Sequence, residues 1–395
     1  MVWRDVIDGR PLTVSARPES LTVGVDARLV AACDAGGRLY SVYRDGHTFR
    51  RGLTGRVLHK WQDACGRHWE ELADGDAARL VDEAAALFGR VRHALAGRVS
   101  AHGEVEIALD VLERASQFGA GRARLDAARA ARVYQPIGIL PPDHYLSLVL
   151  QATQGCSFNS CTFCRLYQEP YLVKSPEEFA SHVEDVLAWL GPSLALRRRR
   201  VFIGAANALA VPTARLLPIL EIVEKAVGPP QGVAAFVDGF TGTRKTEGEY
   251  RALAARGLRR VYIGLESGHD PLLAFVRKPA TRDEAVDAVR TIKTAGVGVA
   301  VIVMIGLGGD RFADAHVRDT IAALAAMRLG PADLVYFSDL VEMPGAAYPQ
   351  QARDAGVRPL SVEGRREQRE AIQAAMERTP LGPKAARYDV REFIW

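Results

Sequence analysis

Gln154-Gly-Cys-Ser-Phe-Asn-Ser-Cys-Thr-Phe-Cys-Arg165 places Cys156, Cys161 and Cys164 on one short arc, spaced C-x4-C-x2-C. Three thiolates so close in sequence can gather at one soft metal centre. No fourth cysteine follows nearby, so the arc alone cannot close a four-ligand structural site. An iron–sulfur cube held by three cysteines leaves one iron without a protein ligand. An open metal position is where chemistry can occur, as the contrast between catalytic and structural zinc sites shows. A zinc knuckle would need a fourth donor at short range, and the nearest downstream candidate, His182, falls in an expected helix. A disulfide would strand one thiol and needs an oxidising compartment. A cluster that only carries electrons normally takes four cysteines.

Outward from the arc the pattern alternates strand and helix. Strands are expected at 146–151, 200–204, 232–237, 260–265, 298–306 and 334–342. Helices are expected near 176–190, 212–227, 247–256, 281–295 and 313–327. Strand–helix–strand units at this spacing imply parallel pairing with right-handed crossovers. The fold class is therefore α/β, with six units giving a partial, TIM-like (βα)6 barrel over residues 144–345. In such barrels sites form at the C-terminal ends of the strands, and the cysteine arc follows the first strand.

The remainder divides around that barrel. Residues 1–143 form an N-terminal domain, β-rich to about residue 60. Its hairpin signals are Asp34-Ala-Gly-Gly37 and Asp45-Gly46. Apolar residues then recur at helical spacing from Asp76 to about Arg132, and Pro136, Pro141 and Pro142 mark the linker. Residues 346–395 form a C-terminal extension, with a helix near 362–377 and a tail ending in Phe393-Ile-Trp395. That tail is either a strand or plug docked on the barrel, or the closure of a substrate cavity by Tyr388, Asp389 or Arg391.

The arc resembles the signature of the radical S-adenosylmethionine (radical SAM) superfamily. The usual spacing there is C-x3-C-x2-C with an aromatic before the last cysteine, here Phe163; the first gap is one residue longer in this chain. The resemblance covers about residues 145–345, and Gly264-Leu-Glu-Ser-Gly268 is similar to a segment of the coproporphyrinogen dehydrogenase and tRNA-modifying branch. It implies a [4Fe-4S] cluster on Cys156, Cys161 and Cys164. The free iron would be chelated by the amino and carboxylate groups of S-adenosyl-L-methionine (SAM). Reductive cleavage of SAM would give a 5′-deoxyadenosyl radical that takes hydrogen from a substrate. It also implies an oxygen-sensitive enzyme and an external one-electron donor such as flavodoxin or ferredoxin.

For SAM contacts the resemblance and the strand ends together nominate Phe163 beside the adenine, Gly204 and Asn207 after the second strand, and Asp238 after the third. Glu266 and Ser267 after the fourth strand would face ribose or methionine, and Gly306 and Leu307 after the fifth would lie against adenine. A carboxylate at Glu266 suits paired hydroxyls because it accepts two hydrogen bonds. The plain alternatives are an Asx turn at Asn207, packing at Phe163, and an ion pair of Glu266 with Arg277 or Lys278. No Asp-x-His-x-x-Gly segment precedes the cysteines, and no second cysteine trio exists, which argues against a cobalamin domain and an auxiliary cluster.

Composition fits this reading. The 395 residues are 48% hydrophobic and 25% charged, ordinary for a soluble globular protein. No apolar run is long enough to span a bilayer, and the start lacks the profile of a signal peptide. Five cysteines, three of them clustered, fit a reducing cytoplasm; Cys33 and Cys65 read as ordinary buried or half-buried thiols. A net charge of +4 is too small to argue for nucleic acid by itself. Arg44, His47, Arg50, Arg51 and Arg56 make a basic patch that leaves an RNA-modifying enzyme as the alternative, but nucleic acid is not favoured. The run Arg197–Arg200 reads as solvated. A non-enzymatic iron–sulfur or zinc protein is the remaining alternative.

Overall fold

The computed structural model describes residues 1–64, 66–96, 103–238, 244–378 and 381–395, with 103 and 104 as backbone only. Cys65 and the 239–243 end of the stretch following Asp238 lie outside the described residues.

The N-terminal domain begins with an eight-stranded antiparallel meander, Val2–Ile7 to Gly66–Glu71, whose strands pair in chain order. Two-residue turns with positive φ at both positions, Asp8-Gly9 and Asp45-Gly46, close two of its hairpins. Such turns match the twist of the strands they join. Alternation assigns the faces: in Ser20–Val25 every second residue is buried. The buried face packs Leu12, Val14, Leu21 and Val23 against Leu80, Leu87, Phe88 and Leu112 of two helices, Asp74–Ala96 and Gly103–Ser116. The sheet runs past residue 60 through Val57–Asp63 and Gly66–Glu71. These strands carry His, Trp and charge in place of an apolar run, which hides them in the sequence.

The second sheet has seven strands, all parallel and in chain order: Leu148–Gln151, Arg200–Gly204, Gly232–Val237, Leu258–Glu266, Gly298–Ile305, Leu334–Asp339 and Lys384–Tyr388. Parallel neighbours in chain order, each reached by a crossover of one hand, put every helix on one face and curl the sheet around the other. Three of the crossover helices open with the same device. Ser175 with Glu178, Thr246 with Glu249 and Thr281 with Glu284 form reciprocal capping boxes. The seventh strand comes from the tail and extends the expected six, Leu334 standing opposite Lys384.

Inward side chains fill the lower barrel. Phe202, Phe236, Tyr262, Tyr336 and Tyr388 form a chain of ring contacts across five strands, with centroids 5.1 to 6.5 Å apart. Beneath them Asp143 accepts hydrogen bonds from Tyr262 (2.6 Å), Tyr336 (2.9 Å) and Arg260 (3.0 Å). Burial would raise its carboxyl, but these donors and His144 hold it below the usual range. The N-terminal end of the barrel is thereby packed. Tail and linker meet across the open edge: Tyr388 donates to the Leu140 carbonyl, and the Trp395 ring lies edge-on against Tyr134.

Arg38 ties the two sheets together. It forms a two-pronged ion pair with Asp126 and also donates to the carbonyls of Trp189 and Leu190. Of the run Arg197–Arg200, Arg197 is buried at this junction and the other three are exposed, so the expected solvated run holds for three residues. The N-terminal basic patch is largely occupied. Arg44 pairs with Glu83 and Arg56 with Glu71, Arg50 donates to the Glu392 carbonyl, and Arg51 is buried.

Candidate functional site

At the C-terminal end of the barrel a cleft encloses about 1100 Å³ of empty space, solvent at its mouth included. Cys156, Cys161 and Cys164 all line it, with Phe163, Asp238, Glu266 and Lys278. Most of the remaining wall is apolar.

The cysteine loop is held by its neighbours. Gly155 has φ +67°, and a Cβ there would stand 2.4 Å from the Glu169 carbonyl oxygen, so the loop's entry requires glycine. Thr153–Gln154 pairs with Leu172–Val173 to close the loop's base. Thr162 N–H donates to the Val276 carbonyl, and the Thr162 carbonyl accepts from Tyr348 N–H. Asn207 Nδ2 donates to Ser157 Oγ at 2.8 Å, and Asp238 N–H donates to Asn207 Oδ1 at 3.1 Å. Asn207 thus clips the loop to the end of the third strand. Burial pushes the Cys161 thiol up to about 12 and the Cys164 thiol up as well. Without a bound cation these are neutral thiols, and a metal inverts that preference.

Opposite the loop lies a buried charge cluster. Lys278 Nζ is 3.3 Å from Glu266 Oε1 and 3.8 Å from Asp238 Oδ1. Burial raises both carboxyls, and Lys278 pulls them back. Burial alone would lower Lys278, but Glu266, Asp238 and Cys161 hold it above its ordinary value. Glu266 sits just past a register shift in the fourth strand, with φ +60°. A Cβ on Gly264 would come within 2.2 Å of Glu266 Oε1, so the pair occupies space that only glycine leaves open.

The nominated residues therefore fall into two groups. The three cysteines, Phe163, Asp238 and Glu266 share the cleft. Gly204, Asn207, Ser267, Gly306 and Leu307 are not on its wall. Ser267 is fully buried, accepts from His269 N–H and shares a hydrogen bond with His316 Nδ1. Gly306 N–H donates to Gln368, and Leu307 packs with Leu272 and Tyr348 behind Phe163. Sequence reasoning had Lys278 only as a partner for Glu266. It passed over Tyr167, Met304 and Met343, which also line the cleft and carry no local motif.

A family model for the radical SAM superfamily matches residues 150–322. That stretch carries a radical SAM domain. Among solved structures, the chain is similar to coproporphyrinogen III oxidase (HemN) from Escherichia coli, a radical SAM enzyme. Identity is 14% and the TM-score 0.46, over 64% of this chain and 55% of that one. It is similar to SuiB from Streptococcus suis in complex with S-adenosylmethionine, at 11% identity and TM-score 0.42, over 87% of this chain and 72% of that one. It is also similar to Methanocaldococcus infernus Elp3, at 12% identity and TM-score 0.40, over 61% of this chain and 56% of that one. The chain thus spans little more than half of HemN. No curated protein sequence matches it.

Radical SAM proteins are enzymes that use a [4Fe-4S] cluster and SAM, and the donors here fit both. Among the described residues no three His, Cys, Asp or Glu side chains meet tightly enough for one metal ion. A single tetrahedral zinc needs its sulfurs about 2.3 Å from one centre. A cube binds each thiolate through a different iron, so it needs thiols around a shared opening, and all three face the cleft. Among the described residues no helix is long and apolar enough to cross a membrane.

Proposed function

We propose that this chain cleaves SAM reductively at the cleft and directs the resulting radical to a substrate held against the cleft's apolar wall. The observation carrying this reading is one cavity that holds three cysteine thiols on one side and a buried Glu–Lys–Asp cluster on the other. Cys156, Cys161 and Cys164 would hold the cluster. When bound, it would supply the single electron needed for reductive cleavage of the SAM sulfonium.

The chain's own residues bind and orient. Glu266 and Asp238 accept from the hydroxyls and ammonium of SAM, charge-assisted bonds roughly twice as strong as neutral ones. Lys278 counters the rise that burial imposes on both acids in an otherwise apolar site. Phe163 packs beside the nucleoside. Asn207, Ser267, Gly306 and Leu307 act through shape, by fixing the strand ends that carry these groups. Tyr388 and Val390, from the tail, wall the cleft with Ile139 from the linker and keep water from a carbon radical. An external one-electron donor is required. The RNA-modifying alternative has lost most of its free basic patch.

The test is direct. Anaerobically reconstituted protein given dithionite and SAM should release 5′-deoxyadenosine, and Cys161→Ala should lose both the cluster's brown absorption and the release. Undiminished release from Cys161→Ala would contradict the assignment.

A further inference from the structure

A second cleft, of about 940 Å³ with the solvent at its mouth included, opens in the N-terminal domain between the end of the meander and two helices, Asp74–Ala96 and Ala120–Val133. Three arginines face it, Arg51, Arg56 and Arg124. Their situations differ. Arg56 is committed to Glu71 by two hydrogen bonds of 2.7 and 2.5 Å. Arg124 is exposed and has no carboxylate partner among the described residues.

Arg51 is the unusual one. It is only 6% exposed, yet its contacts are a long hydrogen bond (3.3 Å) to the Ala123 carbonyl and the face of Phe118. No carboxylate of the described residues lies within ion-pair distance of it. The nearby acids are engaged elsewhere. Asp126 is taken by Arg38, and Asp34 accepts from Ser193 Oγ and the backbone N–H groups of Gly36 and Arg38. Around this junction three buried or nearly buried guanidiniums, Arg38, Arg51 and Arg197, face two carboxylates, Asp34 and Asp126. Among the described residues one positive charge is left without a counter-ion, and Arg51 is the member of that set that lines the cleft.

A guanidinium buried without an anion is costly, and its planar fork matches the two oxygens of a carboxylate or phosphate. The rest of the wall suits a small body: Ala120, Ala123 and Ala127 present one face of a helix, with Ala77 and Ala78 opposite. Asp74, at the opening of its helix, and the paired Glu71 are the acids on this wall. They leave the arginine side in excess.

We propose that this cleft binds the oxyanion of a small molecule, a carboxylate or a phosphate, between Arg51 and Arg124, apart from the SAM site. The junction that supplies Arg51 also docks the meander on the barrel through Arg38, so an anion here neutralises the contact between the two sheets.

Equilibrium dialysis tests it on the reconstituted full chain, with SAM saturating and chloride holding ionic strength constant. One arm uses [32P]orthophosphate and the other [14C]acetate. At least one probe should bind at one equivalent per chain. Arg124→Gln, a surface change, should weaken that binding at least five-fold. Arg51→Met should abolish it, and Arg165→Gln beside the cysteine loop should leave it unchanged. If Arg51→Met does not fold, Arg124→Gln decides alone. Absence of stoichiometric binding in both arms, or binding that Arg124→Gln leaves intact, would overturn the proposal.

Discussion

Gly264→Ala separates two roles for Glu266. The added Cβ would stand 2.2 Å from Glu266 Oε1 and 3.0 Å from Lys278 Nζ. What it meets is the far end of two flexible side chains and no backbone, so the fold yields by displacing the Glu266 carboxylate. Gly264 is not among the glycines with positive φ, and alanine in a strand is better than glycine by about 0.5–1 kcal/mol. Against that stands a strained contact between Lys278 and Glu266, now 3.3 Å apart. The net change in stability is then small, within about 1–2 kcal/mol. SAM binding suffers more. A hydrogen bond to a charged group contributes about 1.5–3 kcal/mol, and each 1.4 kcal/mol is about tenfold in affinity. Displacing the carboxylate should raise the Kd for SAM by about 10- to 100-fold. Equilibrium dialysis of labelled SAM against reconstituted protein reads that change, with iron content and melting temperature showing that the cluster and fold survive. An unaltered Kd beside a lowered melting temperature would mean that Glu266 serves only as the counter-ion of Lys278.

Lys278→Met should be the more damaging change, because it takes the ammonium away from the buried Glu266 and Asp238. Removing one partner of a buried pair costs about 3–5 kcal/mol, a fall of the order of 10 °C in melting temperature for a domain this size. Adding Glu266→Gln should restore part of it, and strict additivity of the two losses would refute the coupling. Acid should destabilise the chain through His144, His182 and His316, which burial lowers from 6.5 to about 4. Each is neutral in the folded state, while the unfolded chain takes up the proton first. Their stabilisation is complete above pH 6.5 and is lost as pH falls from there toward 4, at about 1.4 kcal/mol per pH unit for each histidine. Melting temperature against pH should steepen in that window, and His316→Phe should flatten it. Asp143→Ala should strand Tyr262, Tyr336 and Arg260 at the packed end of the barrel. At about 1–3 kcal/mol per orphaned donor it should lower the melting temperature while leaving the Kd for SAM unchanged.

The cysteine arc and six of the strands were legible because their signals are local. The arc is a spacing, and parallel strands buried on both faces read as apolar runs. The seventh strand was not, since Lys384–Tyr388 is exposed at four of its five positions and has no apolar period. Strand-end side chains were harder. Side chains alternate along a strand, so counting from Tyr262 and Gly264 puts Glu266 inside and Ser267 outside. A register shift lies just there, and a shift breaks such counting. Which basic residue would pair with Glu266 was equally open in the sequence. Arg277 takes a positive φ at the end of a short helix and stays exposed, and that turn delivers Lys278 inward. Arg197 was misjudged because a run of four arginines says nothing about which one meets a second domain.

The distribution of chemistry around the cleft bears on where specificity resides. The thiols, Asp238, Glu266 and Lys278 all come from the stretch 150–322 that matches the superfamily, and they account for most of the cleft's charge. Outside that stretch stand Ile139 from the linker, Ser338, Asp339, Leu340, Val341 and Met343 after the sixth strand, and Tyr388 and Val390 from the tail; they add mostly apolar surface, a phenol committed to the Leu140 carbonyl and a carboxylate, Asp339, paired with Arg387. SAM is a cation with a carboxylate and a ribose diol, so the charged part of the cleft suits it. What remains for a substrate is surface that binds by shape and desolvation, with few polar groups to fix its orientation. Linker and tail are joined to each other by the Tyr388 hydrogen bond and the Tyr134–Trp395 contact. Trp395 in turn holds the meander, whose Thr54 N–H donates to its carbonyl. The part of the wall that linker and tail supply is thus anchored to the N-terminal domain.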